Sequence, residues 1–159
     1  MKNIILALTV AVLAVTSAIA DDFSLGGGGT TGLKNHNTSA AISASYGLQL
    51  DQHVQLRLTQ GVGYSYNGGS SFTGSTLVGP RYLFNFTKRI QPFIGVDAGA
   101  VAYGNSSLTW GVEPNGGLRF AITKDVFADL SVGYQFTLSG RTIQNGDNLL
   151  YALKLGFSF

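Results

Sequence analysis

The chain contains no cysteine, which excludes disulfide frameworks and thiolate metal sites. Charge is scarce too: Asp, Glu, Lys and Arg make up 11% of the residues, where soluble domains usually carry about 25%. Ten Lys and Arg stand against eight Asp and Glu, so the formal net charge is +2 and no bulk field for nucleic acid exists. Beyond residue 20 no apolar run approaches the length of a spanning helix, which argues against helical membrane segments there. The run Gly26 to Gly29 is followed neither by Gly-Lys-Ser/Thr nor by a helical pattern, so it reads as a glycine-rich strand rather than a phosphate loop. Nothing in these residues calls for a cofactor or a metal.

The first twenty residues read as an export signal. Lys2 supplies a short positive segment, Ile4 to Val15 form an uncharged apolar run, and Ala18-Ile19-Ala20 gives the small-x-small pattern of a signal-peptidase site. The run is short for a membrane helix, and no cationic stop-transfer cluster follows it. The expectation is a cleaved signal peptide over 1–20 and a single domain over 21–159.

From residue 23 onward the dominant period is two. Strands are predicted at 23–32, 40–50, 54–66, 75–86, 90–103, 108–122, 126–138 and 148–159. One face of the seventh carries Val126, Ala128, Leu130, Val132, Tyr134, Phe136 and Leu138, and one face of the eighth carries Leu149, Tyr151, Leu153, Leu155, Phe157 and Phe159. The first strand has the weakest pattern.

Alternation alone does not say which face is outside, because a soluble lipocalin-type barrel would hide the apolar face. The polar residues decide. A water-facing wall should be rich in Lys and Glu, whereas here the polar face is mostly small: Ser43, Ser45, Thr59, Gly61, Gly63, Gly99, Ser131 and Gly133 among others. Small side chains suit a narrow lumen, and bulky ones suit lipid. The seven charges within the strands, Arg57, Arg81, Asp97, Glu113, Arg119, Asp129 and Lys154, all fall opposite the bulky set. A cationic side chain on lipid at mid-depth costs about 2–4 kcal/mol, so the lumen is where charge is tolerated. The fold expected is therefore all-β: an eight-stranded antiparallel up-and-down transmembrane β-barrel.

The predicted connections have 7, 3, 8, 3, 4, 3 and 9 residues, an alternation expected when one end meets the exterior and the other the periplasm. Aromatic residues sort into two belts at the level of the headgroups. Tyr64, Tyr66, Trp110, Tyr134, Phe136 and Tyr151 fall towards the outer loops; Phe23, Phe84, Phe86, Phe120, Phe157 and Phe159 fall towards the periplasmic end. Pro80 and Pro114 sit inside predicted strands, where each removes a ladder donor; bulges or displaced strand boundaries would accommodate them.

Several segments resemble a known family. Gln91-Pro92-Phe93-Ile94-Gly95-Val96-Asp97-Ala98-Gly99-Ala100 resembles a hairpin start of OmpA-like transmembrane domains. Gly116 to Asp125, followed by Asp129 and Tyr134, resembles the hairpin of the sixth and seventh strands of the same family. Phe159, sharing a face with Phe157, Leu155 and Tyr151, is similar to the terminal signal read by the barrel assembly machinery. The resemblance covers essentially all of 21–159. OmpA proteins carry a peptidoglycan-binding domain after the barrel, and that role does not transfer to a chain ending at Phe159. The stand-alone OmpX-like and opacity-type barrels are the nearer likeness, which implies envelope integrity, adhesion or host interaction.

The lumen charges are expected to form a structural ion-pair network, because eight strands enclose only enough space for side chains. If the 123–125 turn is symmetric about Lys124, Arg119 and Asp129 stand directly opposite. The alternative for these charges is a narrow, porin-like passive pore. Some small barrels modify lipid A, but no predicted strand contains a histidine. His53 falls in a turn, and His36, which with Asp147 could serve an acyltransferase, reads better as a solvated loop residue. Asn37-Thr38-Ser39 and Asn105-Ser106-Ser107 match glycosylation sequons that carry no meaning in a bacterial envelope.

The sequence thus predicts a monomeric, non-enzymatic barrel of the bacterial outer membrane with a structural or surface-interaction role. Its partners would be outer-membrane lipid, lipopolysaccharide and the barrel assembly machinery, and not nucleic acid. A lipid A-modifying enzyme, a passive pore and a soluble secreted ligand-binder are the alternatives.

Overall fold

Alternation of bulky and small residues runs through eight strands: β1 (Asp22–Gly32), β2 (Thr38–Gln49), β3 (Val54–Ser65), β4 (Ser71–Leu83), β5 (Ile90–Tyr103), β6 (Leu108–Ala121), β7 (Val126–Ser139) and β8 (Thr142–Ser158). The computed structural model describes residues 21–32, 38–65, 71–103, 108–139 and 142–159. Each strand pairs antiparallel with the next, and β1 pairs with β8 to close the barrel. Closure removes every free strand edge. The expected signal peptide lies outside the described residues.

The glycines that weaken the pattern of β1 serve the closure itself. A Cβ on Gly26 would lie 2.5 Å from the Cα of Lys154 and 2.8 Å from the carbonyl carbon of Leu153. Only glycine lets β1 approach β8 this closely.

Faces are inverted relative to a soluble barrel. Leu153 is 57% exposed on the outer wall, while the adjacent Lys154, pointing into the lumen, is 6% exposed. Ile42, Val62, Ile94, Leu130, Val132 and Leu155 are likewise exposed outside. Gln60 and Thr76, opposite one another on β3 and β4, share this outward face, and Gln60 is buried there.

Three expectations are corrected. β4 spans Ser71–Leu83 rather than 75–86, which leaves Phe84 and Phe86 in the following turn, and β8 begins at Thr142 rather than 148. The connections consequently have 5, 4, 5, 6, 4, 4 and 2 residues, so long and short do not alternate. A ladder is made by backbone groups and needs no apolar side chains. β7 and β8 therefore keep pairing through polar residues beyond a register shift at Gln135/Thr137.

Pro80 and Pro114 cause neither bulges nor strand boundaries. Pairing of β4 with β5 passes from Val78↔Ala98 to Arg81↔Gly95, and that of β6 with β7 from Val112↔Phe136 to Asn115↔Gly133, both without change of register. Each proline omits ladder contacts on one side only. Pro80 still pairs with Leu56, and Pro114 with Val96, so the wall stays continuous.

The lumen as candidate functional site

Strand phase sends Arg57, Arg81, Asp97, Arg119, Asp129 and Lys154 into the lumen, where all six are buried, and Glu113 into the same space half-buried. Asp22 joins them. It precedes the strand predicted over 23–32 by one residue, and its phase with Ser24 was the available signal. The described lumen therefore holds four cations and four carboxylates, a balance that suits charges removed from water.

Nearer the end that holds Asp21 and Phe159, the side chains form a hydrogen-bonded layer. Arg119 donates from Nε to Asp129 Oδ1 (2.8 Å) and from Nη2 to Asp129 Oδ2 (3.0 Å), directly across the β6–β7 ladder. Its Nη1 donates to Asp22 Oδ2 (2.8 Å), which Gln55 Nε2 also reaches (2.6 Å). Arg81 Nη1 crosses from β4 to Asp129 Oδ2 (2.7 Å). The flat faces of the two guanidiniums lie on aromatic rings: Arg81 over Phe93 and Arg119 over Phe127, each 3.8 Å from the ring centroid. Arg81 and Phe93 are both only 2% exposed. Planar cations stacked on rings and forked onto carboxylates fill the bore without leaving a charge unpaired.

A second layer lies above it. Arg57 bonds to Asp97 across β4, where Gly79 leaves the way open: a Cβ there would run into the Val96 carbonyl and stand 2.7 Å from Asp97 Cα. Asn115 braces the pair, donating to Asp97 Oδ2 (2.8 Å) and accepting from Arg57 (3.2 Å). Lys154 Nζ donates to Ser45 Oγ (2.6 Å), passing β1 at the level of Gly26. Above these groups a cavity of about 320 Å³ extends between short side chains such as Ser43, Thr59 and Ser75.

Gln55 and Asn115 were not singled out from the sequence, and Ser45 was read only as one of the small residues of the lumenal face, because a neutral polar residue there carries no distinguishing mark. Nor were Phe93 and Phe127, whose inward phase breaks the rule that bulky residues face out.

The aromatics proposed for belts are distributed as follows. Trp110, Tyr151, Phe157 and Phe159 are exposed on the outer wall; Phe84 and Phe86 are exposed in the β4–β5 turn; Phe23, Tyr64, Phe120, Tyr134 and Phe136 are half-buried. Phe72 packs edge-on against Tyr64, and Tyr82 against Phe84, which adds two aromatics that the sequence reading passed over. Tyr66, His36, Asn37, Asn105-Ser106-Ser107 and the side chain of Asp147 lie outside the described residues. His53 stacks on Tyr82 (5.6 Å between centroids) beside Asn85, 3.2 Å away, with neither a serine nor a carboxylate among these contacts.

No family model matches the sequence, and no curated protein does so. Solved structures with the same fold do exist. Neisserial surface protein A shares 16% identity at a TM-score of 0.61, over 87% of this chain and 95% of that one. The outer membrane protein OprG from Pseudomonas aeruginosa shares 11% at a TM-score of 0.62, over 88% and 96%. The outer membrane enzyme PagL shares 19% at a TM-score of 0.60, over 87% and 99%. At these identities the likeness is one of fold: the chain has the architecture of small outer-membrane barrels, whether or not they are enzymes.

Proposed function

We propose that this protein is a non-enzymatic integral barrel of the bacterial outer membrane, with a structural or surface-interaction role in the envelope. The observation that carries the reading is the pairing of an apolar outer wall with a charge-balanced lumen. In water, exposed Leu130, Val132, Leu153 and Leu155 would drive aggregation; in lipid the same wall is satisfied. Strands of 11 to 17 residues reach or exceed the roughly 9–11 needed to cross a bilayer. Closure of the sheet supports a monomer, with lipid, lipopolysaccharide and the barrel assembly machinery as partners. The stacked Arg81–Phe93 and Arg119–Phe127 layer favours a closed barrel over a pore.

Membrane fractionation with gel mobility before and after boiling tests the assignment. The account predicts a protein extracted only by detergent whose unboiled form migrates differently. Recovery in the soluble fraction with unchanged mobility overturns it. Incubation with lipid A should leave the acyl chains intact, and planar bilayers should show no conductance steps. Altered acyl chains would favour the enzyme reading, and regular steps the pore.

A further inference from the structure

The floor of the lumenal cavity is unequally satisfied. Arg57 and Asp97 answer one another, with Asn115 bracing both. Glu113 and Lys154 line the same cavity without such partners. Among the described residues, the Glu113 carboxylate accepts no hydrogen bond, and no cationic nitrogen comes within 4.0 Å of it. Lys154 uses one of its three N–H groups, on the neutral Ser45. Both groups line this one cavity, and among the described residues no ion pair within 4.0 Å joins them. The pocket therefore presents a free carboxylate acceptor on Glu113 and under-used cationic donors on Lys154 and on Arg57, whose Nε is buried without a partner.

We propose that this floor binds a small zwitterion of the α-amino-acid class, its ammonium on Glu113 and its carboxylate on Lys154. A lone anion or cation would satisfy one group and upset the four-to-four charge balance of the lumen. A molecule carrying both charges satisfies both and leaves the balance intact. Size points the same way, since 320 Å³ is at the lower end of the roughly 300–1,000 Å³ typical of ligand pockets. The short hydroxyl and glycine walls, including Ser43, Gly61 and Ser131, offer polarity without further charge. The hydrogen-bonded layer beneath makes this a site of binding rather than of passage. The inference stands on the cavity and its floor, independently of the envelope role proposed above.

The test uses the full ¹⁵N-labelled chain in detergent micelles, titrated with glycine, with acetate and with methylammonium. Glycine should give saturable shifts at the Ser45 and Gly133 amides, and Glu113→Gln or Lys154→Gln should each weaken binding roughly tenfold or more, as loss of a charge-assisted hydrogen bond implies. Ser43→Leu, which fills the cavity while keeping both charges, should abolish the response and guards against a floor variant that fails to fold. An absent or non-saturable response to glycine overturns the proposal. So does acetate or methylammonium binding as tightly as glycine, or an affinity unchanged in both floor variants.

Discussion

Arg119 and Asp129 face each other across the β6–β7 ladder and share two parallel hydrogen bonds, Nε to Oδ1 at 2.8 Å and Nη2 to Oδ2 at 3.0 Å. The fork matches the planar guanidinium to the planar carboxylate. Because Asp129 Oδ2 also accepts from Arg81, one carboxylate holds two guanidiniums, one from the neighbouring β6 and one from β4, three strands away.

Asp129→Ala should therefore be strongly destabilising. It leaves two buried cations short of a counter-charge, and breaking a buried pair costs about 3–5 kcal/mol. Equilibrium urea unfolding in lipid vesicles measures it. A loss of about 1 kcal/mol or less, the level of an exposed pair, would contradict the network described here.

The Arg57–Asp97 pair allows a complementary test. Asp97→Leu alone strands Arg57 and should lower stability by a similar amount. Arg57→Met together with Asp97→Leu removes both charges and should recover most of that loss, since apolar replacement of a whole buried pair is often neutral. A double variant as unstable as the worse single variant would show that the pair contributes more than mutual neutralisation.

Two glycines on the same strand should behave oppositely. Gly79→Ala drives a Cβ into the backbone of β5 and should destabilise by roughly 1–3 kcal/mol, whereas a Cβ on Gly74 meets nothing within 4 Å. Comparing the urea midpoints of Gly79→Ala and Gly74→Ala checks this. Equal midpoints would mean that β4 and β5 can separate without cost.

Cationic substitution on the outer wall should depend on depth. Leu130→Arg, mid-strand, is expected to cost about 2–4 kcal/mol, and Ile122→Arg, at the β6–β7 turn, about 0–1 kcal/mol. Unfolding in vesicles of both variants measures the gradient. A wall that faces water would show no difference between them.

Much of this architecture is readable from residue types alone, and the limits have physical causes. A two-residue period gives a phase to every strand residue, so the inward set from Arg57 to Lys154 follows from local pattern. The Arg119–Asp129 register follows from a turn centred on Lys124, because Ala121 pairs with Phe127 on either side of it. Contacts across the bore are another matter. Arg81 reaches Asp129 on β7, and Arg119 reaches Asp22 on β1, through the stagger and diameter of the closed sheet, which no single strand encodes. The extents of β4 and β8 depart from the apolar pattern for a related reason: both ladders begin in polar residues before the apolar band, and that of β4 stops at Leu83 although the alternation of aromatics runs on through Phe84 and Phe86. Phe93 and Phe127 face inward because guanidinium faces need a flat partner, a demand visible only once the cations are placed.

The central claim is that the bulky face meets hydrocarbon, and the chain's single tryptophan reports on it. Trp110 is 62% exposed on the outer wall of β6. Its fluorescence should be measured in vesicles carrying lipids brominated near the headgroup end of the acyl chain, and separately with aqueous iodide. A blue-shifted emission, quenched by the brominated lipid and indifferent to iodide, is the result predicted. Quenching by iodide with no response to bromine would place this wall in water and contradict the account.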